Sequence, residues 1–284
     1  MKHTMTLLIL LIHGMGISLA LASEPKAQPA KSPFFAFDNG TGRGELSPED
    51  QAALLADLGY AGIGYTGTQD IPEMLKALDA RGLKMFSTYV RADVGPDRAS
   101  YDPGMKEAIQ QLKGRDTILW LYLIGRDGND EQAARVVREV ADLAREAGLR
   151  VALYPHVGFY VATVDDALRI VKKADRENVG VSFNLCHFLK LNNEKNIEST
   201  LKKALPHLYL VSINGADGGR TNAMGWDRLI QTLDRGTFDM ACFLKTLRRL
   251  GYTGPVGLQC YNVQGDRRDN LRRSIEAWRR YQEP

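Results

Sequence analysis

One structural unit recurs about eight times along this chain: an apolar strand, a polar loop, a helix cap, an amphipathic helix and a glycine. The first copy contains every part. An apolar run at 34–38 precedes Ser47, which stands at an N-cap position with Pro48 in the first turn, and Gly59 follows the leucines of the helix. Strict alternation of strands and helices is typical of a parallel sheet, because each helix returns the chain to the start of the next strand.

The same pattern predicts seven further strands, at 60–65, 83–90, 118–124, 149–154, 179–184, 208–214 and 256–261. Eight units in about 250 residues favour closure into a (β/α)₈ barrel over an open, doubly wound sheet. The open-sheet alternative requires a G-x-G-x-x-G motif that leads from the first strand into a helix. Gly40, Gly42 and Gly44 precede the helix cap at Ser47, so they lie in a loop and give only a weak signal for a phosphate or dinucleotide site. We therefore predict one α/β barrel over residues 34–284.

The first 22 residues have the composition of a secretory signal peptide. Lys2 and His3 precede an apolar run at 5–22 that ends in Ala-Leu-Ala. A membrane anchor is the alternative, but the run is short and contains His13 and two glycines. Residues 23–33 are rich in Pro, Ala and Lys and are predicted to be a disordered linker. We expect an exported protein, periplasmic or secreted, without membrane attachment after signal cleavage.

Charge and cysteine content exclude several classes of protein. The formal net charge is +3 with acids and bases interspersed, and no cluster of Lys and Arg indicates nucleic-acid binding. An exported protein with three cysteines cannot depend on a disulfide framework, and no cysteine pair has zinc-site spacing. A bridge between Cys186 and Cys260 is conceivable because both follow strand ends; the alternative is that both are small buried residues.

Polar residues at the carboxyl ends of the predicted strands are the candidates for function, because (β/α)₈ barrels build their sites there. Hydroxyls, amides, imidazoles and aromatic rings at these positions suit a polyhydroxylated ligand, so we expect a small-molecule carbohydrate as partner. The main candidates are Asp38, Tyr154, His156, Asn184, His187, Ser212, Asn214, Asp217 and Gln259. Further strand-end residues are Thr66, Tyr89, Arg91, Arg126, Asp127 and Tyr261.

Three local patterns within this order of elements resemble the xylose isomerase-like TIM barrels, a superfamily of sugar isomerases, sugar 3-epimerases and type IV AP endonucleases. The patterns are VALYPH at 151–156, VGVSFNLCH at 179–187 and GYTGPVGLQ at 251–259. The GTFD motif at 236–239 also looks like the stretch before the last strand of that family. The resemblance covers nearly all of the chain after residue 33 and implies the same barrel.

The resemblance also implies positions for a divalent metal. Epimerase-like members hold the ion with Glu, Asp, His and Glu at positions that correspond here to Tyr154, Asn184, Ser212 and Gln259. Four neutral side chains do not offset the cost of dehydrating Mn²⁺ or Mg²⁺, and an amide cannot abstract a proton from carbon. We therefore expect no metal cofactor. An unusual site for Mn²⁺, Mg²⁺ or Zn²⁺ built from the two strand-end histidines with Asp38 or Asp217 stays open.

His187 retains the substrate-contacting histidine of the family's D-x-x-H pattern, and His156 is kept in the strand-five motif. Imidazole titrates near neutral pH, so both are candidate acid–base catalysts; the alternative is hydrogen bonding within the rim. Asn184 and Gln259 either orient a substrate or fill the space of a lost metal. Asp217, with Arg220, either closes a loop over the ligand or forms an exposed ion pair.

The leading functional hypothesis is an enzyme, a metal-independent isomerase, epimerase or lyase that acts on a free or modified sugar. A non-catalytic carbohydrate-binding barrel is the alternative. AP endonuclease activity is disfavoured because the multi-histidine metal cluster that it needs is absent from the sequence. No feature of the sequence specifies an oligomeric state.

Overall fold

The computed structural model describes residues 32–95, 99–125, 128–191 and 193–283. The predicted signal peptide at 1–22 lies outside the described residues, as do nearly all of the predicted linker and the strand-end residues Arg126 and Asp127. Export therefore stays a prediction. No helix in the described ranges is both long enough and apolar enough to cross a membrane.

Eight parallel strands of the described chain close into a barrel, in the order β1-β2-β3-β5-β6-β7-β8-β9 with β9 paired back to β1. The predicted (β/α)₈ fold is confirmed. The strands are β1 (Phe34–Phe37), β2 (Gly62–Thr66), β3 (Lys84–Val94), β4 (Ala99–Tyr101), β5 (Ile118–Ile124), β6 (Arg150–Leu153), β7 (Val179–Asn184), β8 (Leu208–Ile213) and β9 (Val256–Leu258).

The helices pack around the outside of the barrel, and their ends follow the local signals of the sequence. Ser47 Oγ accepts the backbone N–H of Asp50 at 3.1 Å to cap the first helix, and Gly59 ends it with a positive φ of 82°. The α-helices are α1 (Pro48–Leu58), α2 (Ile71–Asp79), α3 (Met105–Gln111), α4 (Asp130–Glu146), α5 (Val164–Ala174), α6 (Leu185–Lys190), α7 (Ile197–Ala204), α8 (Trp226–Leu229), α9 (Met240–Arg249) and α10 (Arg267–Tyr281).

Two elements differ from the sequence-based expectation. β3 continues to Val94, beyond the predicted end at residue 90, and pairs antiparallel with the short strand β4. α6 begins directly after β7, where the repeating unit predicts a polar loop before the next helix. No Gly or Pro separates β7 from α6, and the residues on both sides are buried, so the sequence offers no break between them.

The interior of the barrel is filled largely by aromatic rings, separately from the aliphatic layer between strands and helices. Phe35 stacks on Phe86 with ring centroids 4.9 Å apart, and Phe37 stacks on Trp120 at 4.6 Å. Trp120 donates its indole N–H to Ser182 Oγ at 2.8 Å. The barrel interior is therefore a packed core, and some of its rings, Phe37 and Trp120 among them, form the floor of the cavity at the carboxyl ends of the strands.

Candidate functional site

A cavity of about 410 Å³ lies at the carboxyl ends of the barrel strands, where the sequence places its candidate residues. Of the main candidates, the structure brings Asp38, Tyr154, His156, His187 and Gln259 together around it. Thr66, Tyr89 and Tyr261 join them, as does Trp226 from α8. The remaining lining residues are Phe37, Asn39, Arg43, Trp120 and Ile230.

Four predicted ligand contacts do not line this cavity. Ser212 is buried, and Asn214 donates its amide to the backbone carbonyls of Gly215 and Leu229 at 2.8 and 2.6 Å. Asn184 lines a neighbouring cavity of about 180 Å³ and donates to the carbonyl of Pro155 at 2.9 Å. These amides are hydrogen-bonded to backbone carbonyls. A position at the end of a strand is therefore not enough for a side chain to line the cavity.

Asp217 lies in the loop after β8 and is held by other loop residues. Its carboxylate accepts a hydrogen bond from Arg228 Nε at 2.7 Å and another from the backbone N–H of Thr237 at 3.1 Å. The ion pair forms with Arg228 rather than with Arg220. Hydrogen bonding to Arg228 lowers the pKa of Asp217 below its ordinary value. The side chain thus stabilises the loop in its present course.

The two histidines lie against each other in one wall of the cavity. Their ring centroids are 3.8 Å apart, and His156 stacks on Phe159 at the same centroid distance. Trp226 packs edge-on against His187 at 5.2 Å. Aromatic contacts on both sides hold the imidazoles in place and reduce their exposure to water, which disfavours the charged form of each ring.

His187 is almost fully buried, and one of its ring nitrogens is already engaged. Nε2 lies 2.9 Å from the hydroxyl of Tyr154, which ends the strand-five motif. Nδ1 is buried and has no hydrogen-bond partner among the described residues. Burial, with a smaller contribution from His156, holds the pKa of His187 well below its ordinary value. Within the folded protein His187 is therefore neutral at neutral pH.

His156 has the geometry of a general base. Its Nδ1 lies 2.7 Å from the backbone carbonyl of Val157. A carbonyl only accepts, so Nδ1 carries the proton and Nε2 keeps its lone pair. Nε2 is accessible to solvent and makes no hydrogen bond with the described residues. Burial lowers the pKa of His156, which keeps the lone pair available near neutral pH.

Gln259 presents hydrogen-bond donors to the cavity. Its Oε1 accepts the backbone N–H groups of Cys260 and Tyr261, each at 3.0 Å, and also the side-chain amide of Asn39. Backbone N–H groups only donate, so these contacts fix which end of the amide is oxygen. The opposite end, Nε2, has no partner among the described residues and lies on the cavity wall.

Asp38 lines the cavity, and its buried carboxylate accepts hydrogen bonds from two neighbouring side chains. Its Oδ1 accepts from Thr66 Oγ1 at 2.8 Å and from Arg43 Nη1 at 3.2 Å. Oδ2 is sealed from solvent without a partner among the described residues. Burial raises the pKa of Asp38 above its ordinary value, and Arg43 opposes this shift. The carboxyl group thus orients Arg43 and Thr66 at the rim.

Sequence reasoning missed Arg43, Phe37 and Trp120, although all three line the cavity. Phe37 and Trp120 are apolar strand residues, and a search for polar strand ends passes over them. Arg43 lies in the glycine-rich loop after β1, several residues beyond the strand end. The sequence offered one signal for Arg43: a basic residue shortly after the strand-end aspartate Asp38.

Among the described residues, no group of three or more His, Cys, Asp or Glu side chains could hold a metal ion. The two cavity histidines are accompanied there by one carboxylate, Asp38, which is itself sealed by Thr66 and Arg43. This donor set does not fit a hard divalent cation, which requires several converging anionic oxygens.

A parallel eight-stranded barrel with a cavity at its carboxyl rim defines the class as a TIM barrel. Residues 52–281 match the model of the xylose isomerase-like TIM barrel family, and the chain belongs to this family. It is a family of sugar isomerase-, epimerase- and dehydratase-like enzymes.

Individual relatives agree with this class. A 3-dehydroshikimate dehydratase of Pseudomonas aeruginosa is 26% identical over 230 residues, which cover 80% of this chain and 33% of that protein. The chain thus spans about a third of the length of this curated relative.

Two solved structures share the fold. D-allulose 3-epimerase from Methylomonas sp. in complex with D-allulose superposes with a TM-score of 0.70 at 17% identity and covers 90% of this chain and 99% of its own. D-psicose 3-epimerase from Clostridium cellulolyticum H10 with D-tagatose gives a TM-score of 0.67 at 17% identity, covering 88% and 98%. Structural neighbours of this barrel therefore bind sugars.

Proposed function

We propose that this protein is an enzyme that moves a proton on a carbohydrate-like ligand, with His156 as the base and without a divalent metal. One observation carries the proposal: His156 Nδ1 is hydrogen-bonded to a backbone carbonyl, which leaves the Nε2 lone pair free on the cavity wall. Fixing a tautomer through the far nitrogen is how proteins orient a histidine for catalysis. The family membership and the sugar-binding structural neighbours support the ligand class.

The proposed reaction begins at a carbon next to a carbonyl group. His156 Nε2 takes the proton, and the electron pair moves onto the carbonyl oxygen to form an enolate. Gln259 Nε2 supplies N–H donors for that oxygen, in the manner of an oxyanion hole. Protonation of the same carbon on its opposite face by a second acid gives epimerisation, with the first proton left on His156. Protonation of the former carbonyl carbon, with transfer of the neighbouring hydroxyl proton to the enolate oxygen, gives isomerisation. Loss of a β-hydroxyl, which takes up a proton and leaves as water, gives dehydration.

The Tyr154–His187 pair is the candidate acid of the same reaction. The phenol and imidazole are hydrogen-bonded at 2.9 Å and both lie on the cavity wall. A phenol in contact with a neutral imidazole can release its proton to a leaving group while the ring stabilises the charge that remains. His187 then acts through Tyr154, which differs from the direct role expected from the sequence.

A carbohydrate-binding barrel without catalysis is the second candidate. Two contacts favour it: His187 is hydrogen-bonded to Tyr154, and the free oxygen of Asp38 is buried away from the cavity. Only His156 is then left as an accessible base among the described cavity residues. Aromatic rings on the floor and amide donors on the wall suffice for sugar binding alone.

Solvent deuterium incorporation separates the two candidates. Keto and aldo sugars are incubated with protein in D₂O, and exchange of carbon-bound hydrogen is followed by NMR together with ligand binding. We expect exchange with the wild type, and His156→Gln should lower its rate by about 10²- to 10⁴-fold while binding persists. His207→Gln, at an exposed histidine beyond the cavity lining, is the matched control and should leave the rate unchanged.

Binding of a sugar without exchange by the wild type would favour the non-catalytic barrel. Full exchange by His156→Gln would place the base elsewhere and refute the mechanism.

A further inference from the structure

Apart from hydroxyl groups, which both donate and accept, the side chains of the cavity wall offer more free donors than free acceptors. Gln259 Oε1 already accepts three N–H groups, and Asn39 Oδ1 accepts the backbone N–H of Cys260 at 3.3 Å. Asp38 has one oxygen occupied by two donors and the other sealed from solvent. His156 Nε2 is the one free nitrogen acceptor among the described lining residues. The ligand that suits this wall therefore carries more acceptors than donors.

Arg43 is the strongest of the free donors. Among the described residues, its guanidinium makes one hydrogen bond, from Nη1 to Asp38 Oδ1 at 3.2 Å. Nearly half of the side chain is exposed, so the remaining guanidinium N–H groups are available at the rim. Since Asp38 is sealed and the two histidines are held neutral, the accessible charge on the described wall is positive. Asp38 fixes the orientation of the guanidinium without competing for its outer edge.

We infer that the ligand is a carbohydrate that carries a carboxylate group, and that Arg43 binds this carboxylate. The inference deepens the proposed function and rests on it. A neutral sugar hydroxyl donates as well as accepts, and apart from His156 Nε2 its hydrogens would meet only hydroxyl oxygens as free acceptors on this wall. A carboxylate only accepts, and its two oxygens match the planar fork of a guanidinium. A phosphate dianion calls for more positive charge than one arginine supplies, so a sugar phosphate is the competing anion to be tested.

The experiment compares matched ligands on the full protein. Isothermal titration calorimetry and ligand-observed NMR measure the affinities of D-glucuronate and D-galacturonate against D-glucose and D-galactose, with D-glucose 6-phosphate as the phosphate arm. We expect at least one sugar acid to bind more tightly than its neutral counterpart. Arg43→Gln should weaken that binding by about 10- to 100-fold, and Arg43→Lys should fall between, because an ammonium group lacks the fork.

Two variants keep the test interpretable. Arg228→Gln removes another exposed, aspartate-paired arginine of the rim that does not line the cavity, and it should leave the affinity unchanged. Asp38→Asn with Arg43→Gln removes both charges, so that no buried carboxylate is left without its cation if the single variant fails to fold. The double variant should lose the preference for the acid as well.

Three results would overturn the inference while leaving the proposed function intact: tighter binding of the neutral sugars, tighter binding of the sugar phosphate, or an equal loss of neutral and acidic sugars in Arg43→Gln. Failure of both acids and neutral sugars to bind the wild type would contradict the proposed function and this inference together.

Discussion

The hydrogen bond between Tyr154 and His187 provides the sharpest test of the site's construction. Both side chains are nearly inaccessible to solvent, with 4% and 6% of their surfaces exposed, and their polar atoms are 2.9 Å apart. The other ring nitrogen of His187 has no partner among the described residues. Tyr154→Phe would therefore leave an imidazole with neither nitrogen hydrogen-bonded inside the protein.

The expected destabilisation follows from these contacts. Phenylalanine keeps the ring, so the packing of residue 154 against Trp120 and Tyr89 persists, with no cavity larger than the lost oxygen. The loss is then that of one buried polar group left unsatisfied, about 1–3 kcal/mol. Tyr89→Phe is the matched control, since the Tyr89 hydroxyl lines the same cavity without a partner among the described residues, and it should change the stability by less than about 0.5 kcal/mol.

Urea unfolding of both variants, followed by circular dichroism, measures the free energy of unfolding at constant m-value. A double-mutant cycle with His187→Leu isolates the pair: once both partners are removed, the combined loss should fall short of the sum by at least about 1 kcal/mol. Equal stabilities of Tyr154→Phe and Tyr89→Phe, or a coupling near zero, would refute the account of a buried, mutually dependent pair.

Three further predictions concern pH, backbone and metal. Burial lowers the pKa values of His156 and His187, so the unfolded chain binds protons that the folded chain does not. The free energy of unfolding should therefore fall as pH decreases below about 6.5, and it should fall less steeply in His187→Gln. Urea titrations at several pH values measure this dependence. Gly236 has φ +92°, and a Cβ there would lie 1.9 Å from the Ala216 carbonyl oxygen, so Gly236→Ala should lower the free energy of unfolding by more than about 3 kcal/mol. Gly219 has φ +93° but lies in open space, so Gly219→Ala should lower it by about 1–2 kcal/mol. Equal losses in the two variants would contradict this reasoning. Dialysis against EDTA should leave the melting temperature and ligand affinity unchanged, and a loss of either that a divalent ion restores would contradict metal independence.

The barrel was predictable because its signals are local and repeated. The N-cap at Ser47 and the terminating Gly59 mark the ends of α1 in the sequence, and the structure uses them as expected. α6 was not predictable by the same means. It follows β7 without a breaker residue, and its buried face cannot be told from a continued strand by hydrophobicity alone.

The site was predictable only in part, because a position at the end of a strand does not determine which group the side chain is hydrogen-bonded to. Tyr154, His156 and Gln259 follow the pattern and line the cavity. Asn214 follows it equally well, but its amide donates to the backbone carbonyl of Leu229 at the end of α8. Contacts of this kind depend on the path of a loop far along the chain, and no local pattern encodes them.

In the proposed chemistry, burial of the histidines sets the protonation state of the acid–base groups, and no cluster of charged side chains among the described residues is required. Burial, to which Phe159 and Trp226 contribute, lowers the pKa values of His156 and His187, so a lone pair is available at neutral pH without a carboxylate. A base of lowered pKa is also a weak one, and it can deprotonate only a carbon that the substrate itself has made acidic. A carbonyl group next to that carbon does so, and the amide donors of Gln259 increase the effect by stabilising the enolate oxygen. The two proposals together therefore call for a carbonyl compound that carries a carboxylate, because its carbonyl would acidify the carbon that His156 is proposed to deprotonate and its carboxylate would bind Arg43.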